Sequence, residues 1–160
     1  MNDGLPEFFR YHLWANLRLL DACRYWSDTH PMRTRSDLAG VHAVWIRLLA
    51  DEEKYVGALT GQLPAVPLDE YVAVPKYAEL RRRAERTGEE LIMVAEQDEL
   101  DHVLHLDGEP FDAPAGIVLL QAFQHALDLR TQIVLELRSH QLEPPNLDGW
   151  SYHDTLHAAA

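Results

Sequence analysis

Five polar side chains, Gln121, His125, Asp128, Gln132 and Glu136, follow one another at steps of four, three, four and four residues. On an α-helix of 3.6 residues per turn they stack into one stripe. An imidazole can bind a metal or move a proton near neutral pH. A carboxylate one turn away supplies charge, and flanking amides supply hydrogen bonds. Such a stripe is either a site or a solvated face.

The chain has nine histidines. His102 and His105 are three apart in a turn-rich stretch, and His153 and His157 four apart near the chain end, where spacing alone says little. No carboxylate-bridged ExxH pattern of the ferritin-like bundles occurs. Nucleophile-elbow, Walker A and dinucleotide glycine motifs are absent as well.

The formal net charge of −12 argues against nucleic acid, whose phosphates require a basic surface. It equally disfavours anionic membrane surfaces. No apolar run reaches the roughly 18 residues of a bilayer span. The opening MNDGLPEFFRYHLW lacks the basic start and apolar centre of a signal peptide. Cys23 is the only cysteine; it reads as a small core residue, and cytoplasmic residence fits.

The stripe needs a scaffold. At 160 residues the length prior gives a single domain over 1–160. Leu5, Phe9, Leu13, Leu17 and Leu20 recur at helical spacing from about Leu5 to Trp26, and Ser27-Asp28-Thr29-His30-Pro31 breaks the pattern. A second helix, capped by Ser36 or Asp37, carries Leu38, Val41, Trp45, Leu48, Tyr55 and Leu59 to a stop at Gly61. The connection GQLPAVPLDEYVAVP is too long for a tight turn and reads as a crossover. The third helix spans Lys76 to about Leu100, with Leu80, Ala84, Leu91, Val94 and Ala95 inward and Arg81-Arg82-Arg83 solvated. Asp101 to Pro114 suggests two short extended pieces around Asp107-Gly108. The fourth helix, about Ala113 to His140, presents Leu120, Phe123, Leu127 and Val134 as its apolar face. Pro144-Pro145 closes it, and the tail from Asn146 has no strong period. These elements predict an all-α fold, a four-helix bundle with a long crossover between helices 2 and 3.

Four segments then resemble the DinB/YfiT-like metalloenzyme family over nearly the whole chain. Tyr11 to Cys23, YHLWANLRLLDAC, is similar to its YNxWANxxLLDA opening. Val41 to Gly61 resembles its HxxxxHILxADRxWLxRLxG segment. Phe123 to Ile133, FQHALDLRTQI, resembles FNHxxHHRGQV, and Pro144 to Asp148, PPNLD, its PPxLD. The resemblance implies a bundle commonly found as a homodimer. It also implies one divalent metal ion (Zn, Ni, Mn or Fe) held by three histidines, and in some members a thiol-dependent transferase activity. A metal-dependent transferase or hydrolase is the enzyme class that follows.

Carried over residue by residue, the ligand set is incomplete. The helix 2 position falls on Arg47, whose guanidinium repels a cation. The helix 4 positions fall on His125, which is present, and Leu129, which binds no metal, or on Asp128 if the pair is counted the other way. The expectation is therefore a lost metal site and no cofactor, leaving a small-molecule pocket or a structural role. Two rescues exist: His42 slipped into the helix 2 position, or His12 joining His125 and Asp128. A remodelled pocket is the other outcome, in which Arg47 pairs with Asp128 or Asp51, or grips an anion. His125 then acts between Gln121 and Gln132, with Arg130 in a packing or supporting role. A dimeric interaction protein is the remaining class.

Overall fold

A computed structural model describes residues 4–29, 38–68, 73–109 and 112–158. The protein is mostly helical. In chain order it forms α1 (Gly4–Thr29), α2 (Ala39–Thr60), α3 (Tyr77–Ala95), the strands β1 (Val103–His105) and β2 (Asp112–Pro114), α4 (Ala115–Ser139) and α5 (Gly149–Ala158). None of these helices is long and apolar enough to cross a membrane.

Helix α1 packs chiefly on α3, and α2 packs on both α4 and α3. The long link after α2 thus carries the chain to a helix that bridges α1 and α2. Gly61 ends α2 at φ 74°, with its N–H on the Gly57 carbonyl, a left-handed stop suited to a residue without Cβ. The expected caps Ser36 and Asp37 lie outside the described residues. The extended pieces pair as an antiparallel hairpin with Leu104 opposite Ala113. This hairpin also starts α4: the first N–H groups of that helix, on Ala115 and Gly116, donate to the carbonyls of His102 and Leu100. Backbone thereby satisfies donors that a helix start otherwise leaves unpaired.

Two apolar clusters fill the interior. The larger gathers Leu19, Leu20, Trp45, Leu48, Leu49, Leu80, Leu129, Ile133 and Leu137, and the smaller Phe9, Val56, Leu91, Val94, Leu119 and Ala122. Cys23 lies in the larger one, accepting from Trp45 Nε1 at 3.5 Å. Burial pushes its thiol up to about 12, which keeps it protonated and unreactive.

Four expectations need correction. Arg83, read as solvated, is buried and donates to Glu53 and to the Val66 carbonyl at 2.7 Å each. Helix α1 continues through Ser27 and Asp28 to Thr29. The tail forms α5, because Asp148 Oδ1 accepts the Ser151 N–H at 2.8 Å and caps a helix with no buried residue. The largest change is the face of α4. Leu120 is 61% exposed and Leu127 also faces outward, whereas Ala122, Ala126, Leu129, Arg130 and Ile133 are buried. Phe123 and Val134 of the expected face do pack against the two clusters, so periodicity alone sets the face partly off the core.

Candidate functional site

Between the two apolar clusters lies a polar layer built from all four long helices. His12 and Asn16 come from α1, Glu52 from α2, Thr87 from α3 and Arg130 from α4. None is more than 2% exposed. Each occupies a helical position in register with apolar neighbours: Phe9 and Leu19 on α1, Leu48 and Val56 on α2, Ala84 and Leu91 on α3, Ala126 and Ile133 on α4. The helices therefore bury these groups as they bury the apolar ones.

His12 is the hub. Its Nε2 lies 2.7 Å from Glu52 Oε2, and its Nδ1 lies 3.2 Å from Arg130 Nη1. A guanidinium only donates, so Nδ1 must carry a lone pair. The remaining ring proton is then on Nε2 and donates to Glu52, which makes His12 a neutral bridge between a cation and an anion. The second proton of Arg130 Nη1 goes to Asn16 Oδ1 at 2.7 Å. The other oxygen of Glu52 accepts from the Thr87 hydroxyl. Asn16 Nδ2 also stands 3.3 Å from His12 Nε2, a secondary contact once that nitrogen is the donor. The rings of Phe9 and Phe123 wall the imidazole at 6.1 Å each.

Burial alone raises Glu52; charge on His12, hydrogen bonds from His12 and Thr87, and the Arg130 charge oppose it and hold the carboxyl below the usual range. With His12 neutral, that opposition falls to the two hydrogen bonds and Arg130. Desolvation lowers Arg130, opposed by Tyr11 and Glu52, yet a guanidinium stays charged. The layer is a separated ion pair joined through an imidazole. Arg130 Nη2 is buried and has no hydrogen-bond partner.

The residues of the expected pocket are distributed differently. His125 Nε2 pairs with Asp51 Oδ2 at 2.8 Å across the α2–α4 seam, and the Tyr55 ring meets the imidazole edge-on at 6.2 Å. Arg47, 63% exposed, reaches Asp51 only at 3.9 Å, so its partner is Asp51 and not Asp128. Asp128 accepts from Gln124 at 3.0 Å and is exposed, as are Gln121 and Gln132. Apart from His125, the polar stripe is thus a solvated face. Leu129 is 1% exposed in the larger apolar cluster. His42 stacks on Tyr77 at 4.8 Å, away from His125. Burial lowers its basicity against a hydrogen bond to the Pro75 backbone, and because proline has no N–H the imidazole is the donor.

The residues do not fit a three-histidine metal centre. Of the three implied positions only His125 is a histidine, and Asp51 holds it. Neither rescue assembles: His42 faces Tyr77, and both ring nitrogens of His12 are engaged. Among the described residues no three His, Cys, Asp or Glu side chains converge in a way that could hold a metal.

Sequence reasoning singled out His12 and gave Arg130 a supporting role but missed Glu52 and Thr87. Their signal was present, since each is a polar residue on an otherwise apolar stripe. The stripe Leu48, Tyr55, Leu59 of α2 passes through position 52, and the stripe Ala84, Leu91 of α3 through position 87.

A cleft adjoins the layer. About 560 Å³ in volume, it lies between α4 and the segment 143–148, with Arg130, Arg138 and Tyr11 among its lining residues. Tyr11 donates to the Leu147 carbonyl at 2.7 Å and so holds the segment in place.

No family model matches the chain, and the search of curated proteins likewise found no match.

Proposed function

We propose that the chain is a four-helix bundle of the DinB/YfiT-like kind that has lost the three-histidine metal set and carries a fixed charged layer elsewhere in its core. It serves as a cytoplasmic small-molecule-binding scaffold, with its ligand in the cleft beside Arg130. The observation that carries this reading is the engagement of His12. Arg130 and Glu52 occupy its two nitrogens, and a permanent cation already sits where a second cation would be repelled. The 560 Å³ cleft falls within the roughly 300–1,000 Å³ typical of small-molecule sites.

The rival reading is a divalent-metal-dependent transferase or hydrolase. Metal analysis of protein purified without a histidine tag separates the two. The scaffold reading expects well under one equivalent of Zn, Ni, Mn or Fe, and the same content in His125→Ala. One equivalent that disappears in His125→Ala would establish the metalloenzyme instead.

A homodimer is a further part of this proposal, favoured by the outward face of α4. Ile117, Leu120 and Leu127 share that face at helical spacing and are exposed, as is Phe8 of α1, whose ring meets Phe123 of α4 at 5.9 Å, and exposed apolar surface commonly marks an interface. Sedimentation should show a dimer, and Leu120→Asp with Leu127→Asp should convert it to a folded monomer. A wild-type monomer at tens of micromolar would remove the dimer from the account.

A further inference from the structure

We propose that the cleft over α4 binds a small carboxylate with an apolar body, and that Arg130 Nη2 is the group that recognises it. This rests on the small-molecule reading above and assigns its ligand class.

Arg130 is 2% exposed, yet it forms part of the cleft wall and its Nη2 has no partner. A buried guanidinium nitrogen without an acceptor is costly to the fold. A ligand oxygen that meets it recovers that cost, so the cleft selects for acceptors. The guanidinium also meets Glu52 only through the His12 ring, not directly. A carboxylate in the cleft would make the direct charge-assisted contact that Glu52 does not.

The other polar groups on the wall do not compete. Tyr11 spends its proton on the Leu147 carbonyl, and Thr131 spends its own on Leu127. Asp148, an anion that would oppose the ligand, has one oxygen on the Ser151 N–H and the other on Asn146 Nδ2. Glu143 is 83% exposed at the rim and lies 3.8 Å from Arg138, so the charges of that pair offset each other. Buried donor capacity on the wall is thus concentrated at Arg130, while Arg138, 3.8 Å from Glu143, offers further donors at the rim. The rest of the wall is apolar, with Leu127, Val134, Pro144, Pro145 and Leu147. A buried cation among apolar walls fits an amphiphilic acid.

The test compares three probes of equal chain length, octanoate, octanol and octylamine, by calorimetric titration of the full chain at pH 7. Octanoate should bind at least about tenfold tighter than octanol, as expected for a hydrogen bond to a charged group, and octylamine should not bind. Thr131→Trp places an indole in the cleft from an exposed position and should abolish octanoate binding with unchanged circular dichroism. Arg130→Met, if it folds, should erase the preference for the acid. Octanol binding as tightly as octanoate would overturn the carboxylate assignment while leaving a small-molecule cleft in place. Failure of all three probes would overturn both. Undiminished octanoate binding in Thr131→Trp would also overturn the assignment, since the acid would then be bound elsewhere.

Discussion

Arg130→Met should lower the unfolding free energy by about 3–5 kcal/mol, the usual cost of breaking a buried ion pair by removing one partner. Methionine matches much of the arginine stem in volume, so the loss is one of charge and hydrogen bonds more than of packing. It strands Glu52 as a buried anion and deprives His12 Nδ1 and Asn16 Oδ1 of their shared donor. Denaturant unfolding at pH 7 measures it. A loss below about 1 kcal/mol, the level of an exposed pair, would mean that the guanidinium is solvated and the layer is open to water.

Glu52→Gln is the second large effect, again about 3 kcal/mol at neutral pH because it leaves Arg130 uncompensated. It also has a pH signature with a fixed sign. The folded carboxyl is held below its ordinary value, so the unfolded chain binds the proton more readily. The stabilisation is fully present above the unfolded carboxylate value of about 4.3. It declines as pH falls towards the folded value and is gone beneath it. The stability difference between wild type and Glu52→Gln should therefore be constant from pH 7 to 5 and shrink below that. A difference that widens on acidification would show that Glu52 is protonated in the folded protein at neutral pH.

The two variants also probe why a core spends five positions on polar groups. Apolar side chains of similar volume often give equal or greater stability than a buried charged set. What the layer adds is specificity: α1 supplies two members and each of the other long helices one, and a helix displaced by a turn would leave a buried polar group unpaired. Hydrogen-bond geometry thus fixes the relative heights of the helices, which the two apolar clusters constrain less tightly.

Much of the helical framework was legible because its signals are local. Gly61 stops α2, Asp107-Gly108 turns the hairpin, and apolar spacing marks the long helices. The inner face of α4 was not legible. Leu120 and Leu127 are larger and more apolar than Ala122 and Ala126, yet the alanines are buried because they let α4 approach α2 closely. Choosing between the faces takes knowledge of the neighbouring helix, which no local period contains. The same limit applied to the site. Glu52 and Thr87 were detectable as polar interruptions of apolar stripes, but their convergence on His12 depends on how three other helices are placed. The stripe of Gln121, Asp128 and Gln132 had perfect helical spacing and is solvated, so spacing located a face and left its surroundings undetermined. The end of α5 shows the converse: Asp148 caps a helix in a tail without periodicity, because a cap needs one residue and no buried face.

The central claim is that His12 is a neutral bridge between Arg130 and Glu52 and not a group available to a metal. Histidine-selective ¹⁵N NMR tests it directly, with the His12 signals assigned by their loss in His12→Gln. The account predicts a protonated Nε2 and an unprotonated Nδ1 at pH 7, both unmoved by an equivalent of zinc. A proton on Nδ1, or a His12 signal that shifts when zinc is added, would contradict it.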